Sequence, residues 1–119
     1  MITFVFYPKC TTCQKARKWL DENQIDYEFR DIKTDNPTFD ELTVWHQASG
    51  LPLRKFFNTS GLLYKSMDLK NKLPAMSEEE MLKLLSTDGM LVKRPLVIGD
   101  GFVLVGFKEA EWEDSVRPE

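Results

Sequence analysis

The amino-acid sequence predicts an α/β domain in which a β-α-β unit and a β-β-α unit are separated by a helical segment. Three observations support this prediction. An apolar run at Ile2–Tyr7 has the composition of a strand buried on both faces. Helical spacing without a convincing strand extends over about residues 38–88. Finally, two apolar runs flank Gly99-Asp100-Gly101, which is a hairpin signal.

Length and composition are those of a single globular domain spanning residues 1–119. Apolar residues make up 42% and aromatic residues 12% of the chain, which is enough to build a core. The net charge is −3, and no basic stripe indicates direct binding to nucleic acid. No apolar run approaches the ~18 residues of a membrane span, and no signal peptide is recognisable. We therefore expect a cytoplasmic protein, in a compartment that keeps thiols reduced.

The first unit is predicted to run strand, helix, strand. Pro8 ends the first strand, and Thr11 with Gln14 three residues later is a capping-box pattern, so Thr11 is the predicted N-cap. The helix should extend to about Asn23. Its predicted inner face consists of Cys13, Ala16, Trp19 and Leu20. Tyr27–Ile32 then alternates apolar and polar residues, as a second strand parallel to the first would.

Two more capping boxes fall within the helical segment. Thr38 precedes Glu41, and Ser77 precedes Glu80, so each pair predicts the start of a longer helix. Gly50 should end the first of these helices. Residues 70–72 are expected to form a loop.

The second unit begins with a short strand over Arg94–Ile98. The hairpin turn leads into an antiparallel strand over Phe102–Phe107, and a last helix should begin near Glu109. A β-α-β half joined through helices to a β-β-α half is the thioredoxin-like arrangement.

Both cysteines of the chain lie at the first strand-to-helix junction, in Cys10-Thr11-Thr12-Cys13. The thiolate is the attacking species in disulfide exchange, and a free cysteine has a pKa of about 8.5. Cys10 should lie just before the first helical turn, where the helix dipole favours negative charge. We therefore predict a lowered pKa and the role of nucleophile for Cys10. Cys13, one turn further along and more buried, is the predicted resolving thiol.

The Arg94-Pro95 step is the predicted partner of this motif. A proline that begins a strand facing a CxxC loop is commonly cis in thioredoxin-like folds, so Pro95 is expected to be a structural residue of the site. Arg94 would then project toward Cys10. There it would lower the pKa of the thiol or bind an anionic substrate through paired hydrogen bonds.

Other interpretations of these residues stay open. A CxxC pair can be half of a zinc site, but zinc takes four ligands, and the chain adds only His46 to its two cysteines. The cysteines could also be buried and inert, and Arg94 could be an ordinary surface residue. His46 is most simply a polar position on a helix. We expect no bound metal and no bound cofactor.

Four segments together resemble the arsenate reductase-like family of the thioredoxin-like superfamily, which also includes the Spx and MgsR regulators. These segments are Tyr7–Ala16, the helical insertion after Asn58, Met90–Ile98 and Val105-Gly106-Phe107. The resemblance covers nearly the whole chain and implies the thioredoxin-like fold. It places the nucleophilic cysteine of the family at Cys10 and its Arg-Pro step at Arg94-Pro95.

The chain departs from the family pattern at positions that bear on the substrate. Glutaredoxin-coupled arsenate reductases use two further arginines for the oxyanion. The approximate place of one is occupied by Asn58, and the other is missing near Gly106 and Phe107. Those reductases also generally lack a cysteine at the position of Cys13, whereas the CxxC motif resembles that of Spx. The resemblance therefore implies thiol redox chemistry more strongly than arsenate reduction.

Two functions follow from the resemblance. The first is a thiol–disulfide oxidoreductase whose product disulfide is reduced by thioredoxin, glutaredoxin with glutathione, or another thiol. The second is an Spx-like redox sensor that binds the α subunit of RNA polymerase. Gly50 stands at about the place of a glycine in that contact surface. Neither function is excluded by the sequence.

Overall fold

The computed structural model describes residues 1–118 and contains a four-stranded sheet. Its strands are β1 (Ile2–Phe6), β2 (Tyr27–Asp31), β3 (Leu96–Ile98) and β4 (Val103–Val105), arranged in the order β2-β1-β3-β4. Strand β1 is parallel to β2 and antiparallel to β3, and β3 is antiparallel to β4. The predicted β-α-β and β-β-α units are therefore confirmed.

Helices connect these strands as the sequence predicts. Helix α1 (Thr11–Glu22) joins β1 to β2, and α6 (Glu109–Ser115) follows β4. Between β2 and β3 lie α2 (Phe39–Ser49), α3 (Leu62–Ser66), α4 (Leu69–Lys72) and α5 (Glu78–Thr87). Short 3-10 turns at Leu53–Phe56, Leu73–Ala75 and Gly89–Leu91 complete this region. Within residues 1–118, no helix has the length and hydropathy needed to cross a bilayer.

The local signals for the two longer inserted helices are confirmed. Thr38 and Glu41 form a reciprocal capping box at the start of α2, and Ser77 and Glu80 do the same at α5. Gly50 ends α2 with a left-handed φ of 68°. The prediction of a loop at residues 70–72 is wrong, because these residues belong to α4.

The predicted N-cap of α1 is wrong by one residue. Cys10 has extended backbone angles, and its carbonyl accepts the first helical hydrogen bond from the Gln14 N–H at 3.0 Å, so Cys10 is the N-cap. Thr11 is already the first helical residue. A capping box at Thr11 would need the Gln14 backbone N–H as a donor to the Thr11 hydroxyl, but that N–H donates to the Cys10 carbonyl, and the Gln14 side-chain amide donates to the Pro8 carbonyl at 2.9 Å. The helix therefore begins with a thiol at the cap position instead of a hydroxyl.

Two apolar cores lie on opposite faces of the sheet. Because side chains alternate along a strand, Val5 points into one core while Phe4 and Phe6 point into the other. The core around Phe4 is closed by α1 and by Trp112 of α6, which is fully buried. The core around Val5 is closed by the helices of the insertion, including Trp45. The sheet is thus covered on both faces.

An ion pair between Arg30 and Glu41 attaches α2 to the edge strand β2. The Arg30 guanidinium donates to both carboxylate oxygens, at 2.5 and 2.8 Å, and also lies 5.6 Å from the centre of the Trp45 ring. The hydrogen bond from Arg30 is the largest cause that lowers the pKa of Glu41 to about 2, and the hydrogen bond from Thr38 in the capping box adds to it. The same carboxylate therefore serves both the helix cap and the ion pair.

Glu41→Gln should reduce the free energy of unfolding near neutral pH by about 1–2 kcal/mol, since glutamine keeps the capping box but loses the charge. A lowered folded-state pKa stabilises the fold above the unfolded value of 4.5, and that contribution disappears as the pH falls toward about 2. The difference between wild type and variant should therefore shrink at about pH 3. Urea unfolding at the two pH values measures it.

Glu28→Gln is the matched control, because Glu28 is an exposed carboxylate on β2, the strand that carries Arg30. Its effect should be small at both pH values. An equal loss for Glu41→Gln at both would contradict this account of the ion pair.

Candidate functional site

A cavity of about 700 Å³ opens beside Cys10, where four segments of the chain meet. These are the start of α1, the turn that leads into α3, the segment before β3 and the segment after β4. Its polar wall is formed by Cys10, Thr12, Asn58, Ser60, Lys93, Arg94 and Lys108. Its apolar wall is formed by Leu62, Leu63, Met90, Val105 and Phe107. No acidic side chain lines this cavity in the described part of the chain.

The two cysteines are free thiols in different surroundings. Cys10 is half-buried and contributes to the cavity wall, while Cys13 is fully buried against the core with Ala16. The Cys13 sulfur accepts a hydrogen bond from the Tyr7 N–H at 3.5 Å. The chain that enters the helix therefore holds the inner sulfur in place and leaves the outer one facing the cavity.

These surroundings separate the acidities of the two thiols. Burial acts to raise the pKa of Cys10, but the backbone N–H and thiol of Cys13, together with the positive charge of Arg94, outweigh it and lower that pKa. Burial and the neighbouring charge of Cys10 raise the pKa of Cys13 to about 12. Cys10 is therefore the thiol that ionises first, in agreement with its predicted lowered pKa.

Strand pairing brings Arg94-Pro95 to the CxxC motif. Antiparallel pairing sets Val5 opposite Leu96, so the residues before β3 run alongside those that follow β1. The Arg94-Pro95 peptide bond is cis, as predicted, and Pro95 is buried. The Arg94 guanidinium lies 5.3 Å from the centre of the Tyr7 ring and lines the same cavity as Cys10.

The guanidinium of Arg94 has few partners within residues 1–118. Nη1 donates a long hydrogen bond to the Met90 carbonyl at 3.4 Å, and a hydrogen bond from the guanidinium to the Cys10 sulfur contributes to the lowered pKa of that thiol. The Arg94 Nε is buried and has no hydrogen-bond acceptor in the described chain. A guanidinium carries five donors, so Arg94 retains most of its capacity to stabilise an anion in the cavity.

The insertion is attached to the segment before β3 by backbone hydrogen bonds. The Asn58 N–H donates to the Leu91 carbonyl at 2.8 Å, and the Lys93 N–H donates to the Phe56 carbonyl at 2.7 Å. A β-bridge between Phe57 and Val92 lies between them. These contacts fix both Asn58 and Lys93 in the cavity wall.

Asn58 stands in the cavity at the place that the family resemblance assigned to an arginine. It is only 8% exposed, and its side-chain oxygen accepts a hydrogen bond from Ser60 at 3.3 Å. A Cβ atom added to Gly61 would lie 2.7 Å from the Asn58 side-chain nitrogen. The glycine therefore leaves room for the amide that faces the cavity.

Two cations of the cavity, Lys93 and Lys108, were missed by the sequence analysis, which assigned Arg94 alone. Lys93 directly precedes Arg94, so its position in the same segment was the available signal. Lys108 lies two residues after Gly106. The Gly106 backbone has a φ of 78°, and the Gly106 N–H donates to the Pro95 carbonyl at 2.8 Å. This turn at the end of β4 directs the following residues to the cavity.

Two other residues named from the sequence lie away from this wall: Thr11, a predicted structural residue of the site, and His46, a predicted polar position on a helix. Thr11 is exposed at the start of α1 and does not line the cavity, whereas its neighbour Thr12 does. His46 lies on α2, with its ring against Phe56 and its Nε2 3.7 Å from a Glu78 oxygen. His46 is therefore not placed beside the cysteines as a third metal ligand would be. No group of three or more His, Cys, Asp or Glu side chains among residues 1–118 has the geometry of a metal site.

Comparison with known proteins identifies a family and several similar sequences and structures. The model of the ArsC family matches residues 6–115. A solved ArsC family related protein from Bacteroides fragilis superposes with a TM-score of 0.94 at 59% identity, and the match covers 95% of each chain. The uncharacterized protein YusI of Bacillus subtilis is 49% identical, over 96% of this chain and 97% of YusI. The regulatory protein MgsR of Bacillus subtilis is 27% identical, over 92% of this chain and 86% of MgsR.

Arg94→Met should raise the pKa of Cys10, because it removes the cation that favours the thiolate. The measurement is best made in a Cys13→Ser background, in which a single thiol titrates and a hydroxyl still donates toward it. The ultraviolet absorbance of the thiolate, followed against pH, gives the midpoint.

Lys15→Met serves as the control, because it removes an exposed cation of α1 that does not line the cavity. A Cys10 midpoint that stays the same in Arg94→Met would show that this arginine does not act on the thiol.

Proposed function

The chain belongs to the ArsC family, and we propose that it acts as a cytoplasmic thiol–disulfide oxidoreductase with Cys10 as nucleophile and Cys13 as resolving thiol. One observation above all supports the proposal. A Cys10 thiol of lowered pKa faces a cavity, and a Cys13 thiol of raised pKa is buried directly behind it. A two-thiol exchange reaction requires one accessible thiolate that attacks the substrate and a second thiol close behind it that resolves the mixed disulfide.

In the first step, the Cys10 thiolate attacks one sulfur of a substrate disulfide. A bond forms between the Cys10 sulfur and that atom, the substrate S–S bond breaks, and the second substrate sulfur leaves as a thiolate. The charge of Arg94 beside Cys10 increases the fraction of attacking thiolate. After this step Cys10 is in a mixed disulfide with one half of the substrate, and the Cys10–Cys13 disulfide has not yet formed.

In the second step, Cys13 gives its proton to solvent and attacks the Cys10 sulfur. The Cys10–Cys13 bond forms, the mixed disulfide bond breaks, and the remaining half of the substrate leaves as a thiolate that takes up a proton. Part of the raised pKa of Cys13 comes from the negative charge of Cys10. That charge is gone once Cys10 is in a mixed disulfide, so Cys13 becomes easier to ionise only after the first step. The charge on Cys10 therefore favours attack by Cys10 first and by Cys13 second.

The cycle closes when an external thiol reduces the Cys10–Cys13 disulfide. We propose thioredoxin, glutaredoxin with glutathione, or another cellular thiol as the reductant, with no bound cofactor. Arsenate is a less suitable substrate, because Asn58 stands in place of one oxyanion-binding arginine of the glutaredoxin-coupled reductases and the cavity has substantial apolar walls.

A second candidate function is redox-sensitive regulation of transcription. The 27% identity to the regulatory protein MgsR, the similarity to proteins named global transcriptional regulator Spx, and the CxxC motif favour it. In that case oxidation of Cys10 and Cys13 would alter binding to the α subunit of RNA polymerase, and no substrate would be turned over.

Cys10→Ser should abolish reduction of a neutral test disulfide, bis(hydroxyethyl) disulfide, in a thioredoxin- or glutathione-coupled assay. Cys13→Ser should instead accumulate a mixed disulfide when the reduced protein meets the test disulfide without added thiol. Intact-mass spectrometry under non-reducing conditions distinguishes the adduct from the internal disulfide that wild type should form.

Thr11→Ser is the control for substitution near the motif, because Thr11 is exposed and outside the cavity. Turnover that survives in Cys10→Ser would contradict the mechanism, as would a Cys13→Ser protein that forms no adduct.

For the regulatory alternative, the purified α subunit should bind with measurably different affinity to the reduced and oxidised forms of the chain. Isothermal titration calorimetry with both forms tests this directly. Absence of binding in both forms would remove this second candidate and leave the enzyme.

A further inference from the structure

We propose that the substrates are organic disulfides with a carboxylate or similar anionic group, which Lys93 and Lys108 bind while the substrate sulfur reaches Cys10. This inference rests on the proposed disulfide exchange and specifies its substrate class. The two lysines are positioning residues for the ligand and take no part in the exchange of sulfur.

The size of the cavity indicates an organic ligand. A volume of about 700 Å³ falls within the range of sites for small organic molecules, roughly 300–1,000 Å³, and greatly exceeds the volume of an inorganic oxyanion. Leu63, Met90 and Phe107 give it apolar surface that an oxyanion would not use. The carbon chain of a disulfide would contact this surface.

The charge of the cavity indicates an anionic ligand. Lys93, Arg94 and Lys108 line it, and within residues 1–118 no acidic side chain does. None of the ion pairs of the described chain involves Lys93 or Lys108. The chain as a whole has a net charge of −3, so this concentration of positive charge does not follow from composition.

A second cavity of about 280 Å³ extends the cationic surface. It shares Lys93, Val105 and Lys108 with the first and adds Arg54 and Lys55. The wall of the second cavity thus contains four cationic side chains and one carboxylate, Glu111. The two lysines therefore stand in the wall common to both cavities.

Arg94 and the two lysines have different roles in the cavity. Arg94 acts on the Cys10 thiol, since its charge is one of the causes that lower the Cys10 pKa. Neither lysine contributes to that shift. Lys93 and Lys108 are thus available to a substrate anion that lies away from the reacting sulfur atoms.

The reaction remains the balanced exchange described above. The anionic disulfide is the oxidant and is reduced to two thiols, while Cys10 and Cys13 are oxidised to one disulfide. The lysines change only how tightly the disulfide is held before the first attack.

Three disulfides of similar length and different charge test the proposal: dithiodipropionate with carboxylates, bis(hydroxyethyl) disulfide without charge, and cystamine with ammonium groups. The second-order rate constant for oxidation of the reduced protein is measured for each at one pH and ionic strength. Each is divided by the rate constant of the same disulfide with mercaptoethanol, which removes intrinsic reactivity. We expect dithiodipropionate to exceed the neutral disulfide about five- to tenfold, and cystamine to be slowest.

Lys93→Gln and Lys108→Gln should each lower the normalised rate with dithiodipropionate about threefold and leave the neutral disulfide unchanged. The double variant should lose the preference, and added salt should weaken it in wild type. Lys70→Gln, an exposed lysine of α4 outside both cavities, should change nothing. Thiolate titration should give the same Cys10 midpoint in all of these variants.

The outcomes separate this inference from the function on which it rests. Equal normalised rates for the three disulfides, or lysine variants that slow all three alike, would overturn the anionic substrate class while Cys10 chemistry stands. Failure of all three disulfides to oxidise wild type through Cys10 would overturn the proposed exchange and this inference together.

Discussion

Antiparallel pairing of β1 with β3 is the contact on which the site depends. The CxxC motif follows β1 and Arg94-Pro95 precedes β3, so a pairing that sets Val5 opposite Leu96 brings the two segments together across about eighty residues of chain. The pairing is fixed by burial, because Val5 and Leu96 share one core while Phe4 and Val97 share the other. A slip of one residue would exchange the two faces, and the side chains of β3 would no longer fit the core that each of them enters. The core thus determines where the arginine lies relative to the thiol.

Once the two segments meet, the different surroundings of the two cysteines shift their pKa values in opposite directions. Cys10 occupies the N-cap, where the backbone N–H and thiol of Cys13 and the charge of Arg94 favour its thiolate. Cys13 lies one turn deeper, where burial raises its pKa to about 12. The N-cap is often a serine, threonine or aspartate that satisfies helix donors. Here that position holds a thiol instead, and the donors of the first turn become available to a reactive sulfur.

Local sequence signals predicted much of the fold and part of the site. Capping boxes marked α2 and α5 correctly, because each depends on residues three positions apart and is independent of the remaining chain. The same pattern failed at Thr11, since the helix begins one residue earlier, at Cys10, whose carbonyl accepts the Gln14 backbone N–H. The sequence set Lys93 beside Arg94, but it did not show that Lys93 and Lys108 line one cavity. Their positions depend on the bridge between Phe57 and Val92 and on the turn at Gly106.

The same two lysines bear on which substrate the proposed thiol chemistry would take. A compact oxyanion requires several donors that converge on one point, and arginine supplies them through its planar fork. The cavity here has one arginine beside the thiol, an amide at Asn58, and two lysines toward a second cavity. Lysine is a point charge on a flexible stem, suited to attract an anion without fixing its geometry. Such a distribution of charge favours an extended anion over a compact one, and it is compatible with the disulfide exchange proposed for Cys10.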